Sequence, residues 1–253
     1  MLINTVVLFL RDTLPIFLLI SVLLALPSVS RWSLIWRIAV LAVISFVLYL
    51  QLGPISQLAE GAGFELLKST LFFVAWLGMC IIALSVLTAH RRFSVGVSLL
   101  MLGICLPNSL HFLVYFVSQL ARSSDSSLLL LGTTIGLGIC ISIAILLNIV
   151  LTNFVSMRVM YFFMPLFVAA QVANIALLLE QTDVFPAPHL LWDSSSIISD
   201  NSEYGHLFNA LFGYEATPSL SYLCVFCFAL IVPIALRLLA TVRVPSNRSQ
   251  EVA

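Results

Sequence analysis

Long apolar stretches alternate with short polar breaks along almost the whole chain. A helix that crosses a bilayer needs about 20 mostly apolar residues, and several stretches reach that length. They cover residues 3–27, 33–53, 66–88, 94–120, 128–152, 157–180 and 219–241. The pattern predicts an all-α polytopic membrane protein with seven transmembrane helices, forming a single transmembrane domain over residues 1–253.

One connection, residues 181–218, is long, polar and acidic, with Pro, Ser and Asp at many positions. Its part "HLFNALFGY" (206–214) is predicted to form a short interfacial helix, with Phe and Leu in the headgroup region. We refer to residues 181–218 as the acidic loop.

The composition agrees with a lipid environment. Hydrophobic residues make up 61% of the chain and charged residues only 9%, whereas soluble domains carry about 25% charged residues. The formal net charge is zero and no basic run exceeds two residues, which argues against a nucleic-acid partner. There is no hydrolase triad, phosphate loop or two-Cys-two-His motif, so we expect no enzyme.

The N-terminus lacks a basic region and a cleavage site, so the first stretch is predicted to be retained.

All five cysteines lie in apolar stretches, which excludes a secreted disulfide scaffold. Cys224 and Cys227 form a C-x-x-C pair within "YLCVFCFAL". Without a βαβ context, we interpret them as small apolar residues rather than as a redox or metal site.

The charges near the ends of the stretches sort by side, and the positive side of a membrane protein is cytoplasmic. With seven spans the positive side carries Arg31, Arg37, Arg91, Arg92, Arg158, Arg237, Arg243 and Arg248. The other side carries Lys68, Arg122, Glu60, Glu65, Asp125, Glu180, Asp183, Asp193, Asp200, Glu203 and Glu215. This distribution predicts an outside N-terminus, a cytoplasmic C-terminus and an acidic loop that faces outward.

A weak internal repeat relates the first and fourth stretches. "LRDTLPIFLLIS" aligns with "LPNSLHFLVYFVS", so that Leu10 matches Leu106 and Leu14 matches Leu110, an offset of 96 residues. Three spans separate the two segments, and three spans invert the direction through the membrane. This predicts a three-plus-three inverted repeat followed by a seventh helix, an arrangement that often places a transport site at the repeat interface.

Arg11 and Asp12 lie side by side about 13 Å into the first stretch, close to the middle of the bilayer. Intramembrane charge is costly and is usually functional. Pro15 leaves the Arg11 carbonyl without its helical donor. The two interpretations are a structural ion pair between helices and a solute path.

The fourth stretch carries Asn108, His111 and Tyr115 on one helical stripe, just after Pro107, which is a possible kink. His111 is a candidate to bind a metal or carry a proton. The commoner role of a lone intramembrane His is a hydrogen bond to a neighbouring helix.

Other polar residues occur in pairs on one helical face. Gln171 and Asn174 share a face of the sixth stretch, where hydrogen bonding between helices is the simplest role. Glu65 and Lys68 begin the third stretch, where they form either an ion pair or part of a cavity mouth.

The fifth stretch contains Gly132, Gly136 and Gly138 within "LGTTIGLG". Small residues at such spacing let helices approach closely, so we predict a helix-packing face there.

Several of these segments resemble the oxidase-dependent iron permeases, both the yeast high-affinity type and the bacterial ferrous-iron-uptake type. "LFLRDTLP" is similar to the family's first Arg-Glu-Gly-Leu-Glu motif, and "FELLKSTLFFVAW" to its third span. "LGTTIGLG" and "PLFVAAQVANIALLLE" resemble its fifth and sixth spans. "NSEYGHLFNALFGYEATPSLSYL" resembles its last loop, where an aromatic-Gly-Tyr pattern is followed by Pro-Ser.

The resemblance implies seven spans and import of iron ions as substrate, with no permanently bound cofactor. It implies a multi-pass protein of the cell membrane, in bacteria the inner membrane, with an extracytoplasmic oxidase or iron-binding protein as partner. The implied metal ligands are Asp12, Glu65 and His111. The path they belong to is formed by Arg11, Asp12, Glu65, Asn108, His111, Tyr115, Gln171 and Asn174.

The chain departs from the family pattern at several positions. Pro15 stands at the second Glu of the first motif, and Lys68 stands where a second Glu is usual. The fourth span has Pro-Asn-Ser-Leu-His (107–111) in place of its motif. Two alternatives follow: a non-transporting relative that acts as an accessory or assembly subunit of a membrane complex, and a permease for another solute in which His111 and Asp12 relay protons.

Overall fold

The computed structural model describes residues 2–85, 90–122, 126–182, 184–185, 189–200 and 202–242. All regular elements in these ranges are helical. The α-helices are α1 (Leu2–Leu24), α2 (Arg31–Leu50), α3 (Leu52–Ser56), α4 (Gly63–Leu84), α5 (His90–Arg122), α6 (Ser126–Asn153), α7 (Met157–Gln181), α8 (Glu203–Phe212) and α9 (Leu220–Val242). A single 3₁₀ turn covers Ala59–Gly61.

Six of these helices are long and apolar enough to cross a membrane, namely α2, α4, α5, α6, α7 and α9. The chain is therefore a multi-pass membrane protein, as its hydrophobic pattern predicts. Helix α1 has 23 residues but is not one of the six, and it carries Arg11 and Asp12. Seven spans thus stay a prediction, with the first stretch confirmed as a helix.

The helix ends differ from the predicted ends by a few residues. Helix α1 ends at Leu24 rather than at 27, because Pro27 disfavours helical backbone at the residue before it. The short α3 and the 3₁₀ turn, between α2 and α4, have no counterpart in the prediction. The predicted end at 88 lies outside the described residues, as do Asp125, Asp183, Arg243 and Arg248 from the charge count.

The core is formed mainly by α1, α5 and α7. Leu14, Leu18, Leu100, Ile104 and Phe167 are completely buried there. Around this centre α1 packs along α6, α4 along α5 and α7, and α9 along α7. The short helix α8 packs on both α1 and α7, so part of the acidic loop lies against the helix bundle.

The remaining described surface is largely apolar. Large side chains such as Trp32, Trp36 and Phe46 on α2, and Ile231 and Leu238 on α9, are exposed along helices that qualify as membrane spans. An exposed apolar surface of this kind is suited to contact with lipid chains. The free cysteines divide in the same way: Cys224 and Cys227 are exposed on α9, whereas Cys80, Cys105 and Cys140 are buried.

Candidate functional site

A polar cavity lies between α1, α4, α5, α7 and α8. Its volume is about 250 Å³. The polar and charged residues that line it are Arg11, Asp12, Glu65, Lys68, Asn108, His111, Gln171, Asn174, Gln181, His206 and Asn209. Because α8 and the start of α4 contribute to its wall, the cavity reaches from the acidic-loop side of the molecule to the middle of α1.

Asp12 and His111 form a short contact between α1 and α5 in this cavity. Asp12 is only 4% exposed, and its Oδ2 lies 2.6 Å from Nδ1 of His111. A carboxylate accepts hydrogen bonds, so Nδ1 carries the proton and Nε2 is an acceptor when the ring is neutral. The contact joins α1 to α5 and gives one oxygen of the buried carboxyl group a hydrogen-bond partner. His111 thus has the role that is commonest for a lone histidine, and it also lines the cavity.

Arg11 is on the same cavity wall as Asp12. Its Nε lies 3.7 Å from the other Asp12 oxygen, Oδ1, and its side chain is 57% exposed. Asp12 therefore has two partners, one on each oxygen. The terminal nitrogens of Arg11 donate no hydrogen bond within the described part of the chain.

Glu65 and Lys68 line the cavity without pairing with each other. Both are partly buried on the first two turns of α4. The Lys68 ammonium lies 5.4 Å from the centre of the Phe64 ring, in cation–π geometry, and forms no ion pair with Glu65. Of the two roles that the sequence leaves open, the structure supports the cavity mouth.

Four amide side chains share one hydrogen-bonding arrangement. Each donates an N–H to a backbone carbonyl: Asn108 to Ile104, Gln171 to Ala210, Asn174 to Gln171 and Asn209 to Tyr214. Within the described residues, the side-chain oxygens of these amides accept no hydrogen bond. The cavity wall thus offers several neutral acceptors, as well as the Glu65 carboxylate.

Helix α8 contributes two residues that the sequence analysis does not place in the site, His206 and Asn209. Ser202 caps its N-terminus by accepting from the Gly205 N–H, and Gly213 ends it in the left-handed region at φ 70°. A Cβ on Gly213 would meet Phe226 at 2.7 Å, so that turn requires glycine. The i, i+3 spacing of His206 and Asn209 is the signal that could identify this polar face.

The loop that carries α8 also holds two groups with shifted pKa values. Burial lowers the pKa of His206, and the positive charge of Arg11 lowers it further. Burial raises the pKa of Glu215 to about 7, with an added effect of the nearby Asp200 carboxylate. Asn209 contacts Glu215 Oε2 at 3.3 Å, so Glu215 adjoins a residue of the cavity wall.

The cavity brings together seven of the eight path residues that the sequence indicates: Arg11, Asp12, Glu65, Asn108, His111, Gln171 and Asn174. Tyr115 is half-buried on α5 and is not part of the described lining. Of the three implied metal ligands, Asp12 and His111 touch and Glu65 lines the same cavity. No group of three or more His, Cys, Asp or Glu arranged to hold a metal ion occurs among the described residues.

Comparison of the chain with known protein families, with curated proteins and with solved structures finds no match.

Proposed function

We propose that this chain is a membrane permease that takes up a small solute through the cavity between α1, α4, α5, α7 and α8. The observation that carries the proposal is the Asp12–His111 contact, a hydrogen-bonded polar pair in the wall of a cavity of about 250 Å³ that extends to the middle of α1. Polar groups within membrane helices are costly, and they usually mark solute or ion paths.

The inverted repeat supports the same proposal. With the offset of 96 residues, Thr13 on α1 corresponds to Ser109 on α5. Thr13 contacts Cys140 on α6 at 3.3 Å, and Ser109 contacts Ser45 on α2 at 2.7 Å. Equivalent residues of the two proposed halves thus each contact the second spanning helix of the opposite half, α6 for Thr13 and α2 for Ser109. In this arrangement the chain has seven spans, an outside N-terminus and a cavity open to the outside.

We propose iron ions as the cargo, on the resemblance of the sequence to oxidase-dependent iron permeases. Asp12, Glu65 and His111 supply the oxygen and nitrogen ligands that such an ion prefers, and the amide oxygens of Asn108 and Asn174 add neutral ones. An extracytoplasmic oxidase or iron-binding protein would deliver the ion on the acidic-loop side, in bacteria across the inner membrane.

The test is uptake of radioactive iron into cells that lack other importers. Wild type is expected to exceed the empty vector, and Asp12→Ala and His111→Ala to lower uptake by about tenfold or more, as changes at metal sites commonly do. Asp12→Asn and His111→Gln keep the shape of the side chains and separate loss of chemistry from loss of folding. Arg31→Gln, an exposed change at the start of α2, is the matched control.

Uptake no higher than the empty vector would reject the permease proposal for iron, and uptake unaffected by both alanine variants would reject the path.

A non-transporting accessory or assembly subunit is the second candidate. It is favoured by the two cations in the cavity, Arg11 and Lys68, which repel a bare metal ion. Lys68→Glu in the same assay separates the candidates. If wild type is inactive and this variant, alone or with Glu at positions 15, 108 and 111, creates uptake, the chain is a permease that has lost its activity.

A further inference from the structure

The charges of the cavity contain information about the cargo that the resemblance does not provide. Arg11 and Lys68 each place a positive charge in the cavity, and Glu65 places a negative charge there. Both oxygens of Asp12 already have partners, since Oδ2 contacts Nδ1 of His111 and Oδ1 faces Nε of Arg11. The groups left for a ligand are therefore two cationic donors, one carboxylate and a set of amide oxygens.

We propose that the cavity binds a small organic carboxylate that also carries a positive centre, with Arg11 and Lys68 holding the carboxylate and Glu65 with the amide oxygens facing the positive centre. The inference deepens the proposed function, since it rests on this cavity being the cargo site of a permease.

Arg11 is well suited to the carboxylate end. Its Nε faces Asp12, which leaves the terminal guanidinium nitrogens free of hydrogen bonds to described residues. A guanidinium can bind a carboxylate through two parallel hydrogen bonds. Lys68 supplies a second donor, and its contact with the Phe64 ring satisfies only part of the ammonium.

The amides are suited to the positive end. Asn108, Gln171 and Asn174 have each used a donor on backbone, so their side-chain oxygens remain as acceptors. Gln171 is only 2% exposed, and its side-chain N–H donates to the Ala210 carbonyl on α8. Burial and this hydrogen bond together fix the position of the side chain. Glu65 adds a full negative charge to these acceptors.

The size of the cavity limits the cargo. Its volume of about 250 Å³ lies just below the range of about 300–1,000 Å³ of typical ligand pockets, which suits one small organic molecule. Two sources provide the required chemistry. One is an amino acid, whose positive centre is an ammonium group, and the other is a carboxylate chelate, whose positive centre is a bound ferric ion.

The experiment measures ligand binding to the purified full chain in detergent, by thermal shift and calorimetry. The probes are a mixture of the standard amino acids, ferric citrate, citrate alone, and choline as a cation without a carboxylate. Either the amino acids or ferric citrate are expected to bind, and the one that does identifies the source.

Arg11→Gln and Lys68→Gln are each expected to weaken that binding by roughly tenfold or more, because each removes a charge-assisted hydrogen bond. Lys68→Arg keeps the charge and is expected to stay within a few-fold of wild type. Arg31→Gln, which removes a charge outside the cavity, is expected to have no effect. The melting temperature of each ligand-free variant shows whether it is folded.

The inference would be overturned if neither the amino acids nor ferric citrate bound. It would also be overturned if the folded Arg11→Gln and Lys68→Gln variants bound the ligand as tightly as wild type. Binding of choline, or of citrate alone as tightly as ferric citrate, would overturn it as well. Iron uptake in cells without binding of either carboxylate probe would leave the permease proposal standing and reject this inference. Binding of a carboxylate probe without iron uptake in cells would reject iron import and leave the binding site itself standing.

Discussion

Asp12 shows how one intramembrane charge is stabilised by residues on two sides. Its Oδ2 is held by His111 from α5 and its Oδ1 faces Arg11 from the next position of α1. Removing one partner of a buried ion pair commonly costs about 3–5 kcal/mol, because the remaining charge has no compensation. The shared carboxylate therefore couples the position of Arg11, a proposed ligand group, to that of His111.

Glu215 is expected to make the stability of the acidic loop depend on pH. Its pKa in the folded protein is raised to about 7, whereas an unperturbed Glu has a pKa of about 4.3. Between these values the folded chain holds a proton that the unfolded chain has lost, so its contribution to stability falls as the pH rises through this window and stays low above pH 7. Glu215→Gln removes the charge that causes the loss.

Melting curves of wild type and Glu215→Gln from pH 5 to pH 8 measure this effect. The melting temperature of the variant is expected to rise relative to wild type by a few degrees at pH 8 and to differ less at pH 5. Both proteins keep His206, so its opposite trend cancels in the difference. Asp193→Asn, a change at an exposed carboxylate, is the control and should give a flat difference. A flat difference for Glu215→Gln as well would contradict the raised pKa.

The sequence predicts most of the candidate site because intramembrane charge and amides are rare and costly. That rule selects Arg11, Asp12, His111 and Gln171, all of which line the cavity. Tyr115 is selected by a different criterion, the helical stripe that it shares with Asn108 and His111. That stripe extends past the described lining of the cavity, so Tyr115 is not part of it. The rule of costly intramembrane groups fails for α8, since polar residues in a loop carry no such cost and do not stand out.

At the scale of helices, glycine determines how closely α4 and α5 approach. A Cβ on Gly103 would lie 2.3 Å from the Leu71 oxygen and 2.4 Å from the Ala75 nitrogen. A Cβ on Gly78 would lie 2.6 Å from the Leu100 nitrogen. The two backbones are therefore almost in contact at this crossing.

Gly103→Ala is expected to push α4 and α5 apart. Backbone atoms cannot move aside as a flexible side chain can, so the cost should lie near the upper end of the about 1–3 kcal/mol typical of overpacking. The melting temperature in detergent should fall clearly, and binding in the cavity should weaken with it. Gly138→Ala on α6 is the matched control, because a Cβ there meets nothing within 4 Å. Equal melting temperatures for the two variants would contradict the close crossing.

The predicted packing face of the glycines on α6 is right for Gly136 and wrong for Gly138. Gly136 on α6 does allow a close approach, since its Cβ would lie 2.6 Å from Phe9, but Gly138 faces open space. The close crossing of α4 and α5 is formed by Gly78 on α4 and by Gly96 and Gly103 on α5, which lie too far apart in the sequence to form a compact glycine motif like that of α6. Periodicity locates a helix and its apolar face, whereas the partner of that face depends on the tertiary arrangement.

For the whole molecule, the two proposed halves, whose sequences repeat only weakly, differ in packing. Helices α1 and α6 pack together, as do their repeat equivalents α5 and α2. Helix α4 packs closely along α5, whereas the equivalent pair, α7 and α1, has the cavity and α8 between its members. An inverted repeat with one pair closed and the equivalent pair open is expected of a transporter whose site faces one side only.

This asymmetry predicts which side of the membrane reaches the cavity. The test introduces single cysteines into a chain whose five native cysteines are replaced by serine. Intact cells are then labelled with a membrane-impermeant maleimide. Ser196→Cys, in the acidic loop, is expected to react in intact cells, and Ser28→Cys, between α1 and α2, only after permeabilisation. Asn108→Cys, deep in the cavity beside His111, is expected to follow Ser196→Cys, because the cavity opens toward α8. Labelling of Ser28→Cys in intact cells would reverse the proposed orientation. If Asn108→Cys instead reacts only after permeabilisation, the cavity opens to the cytoplasm and uptake cannot begin there.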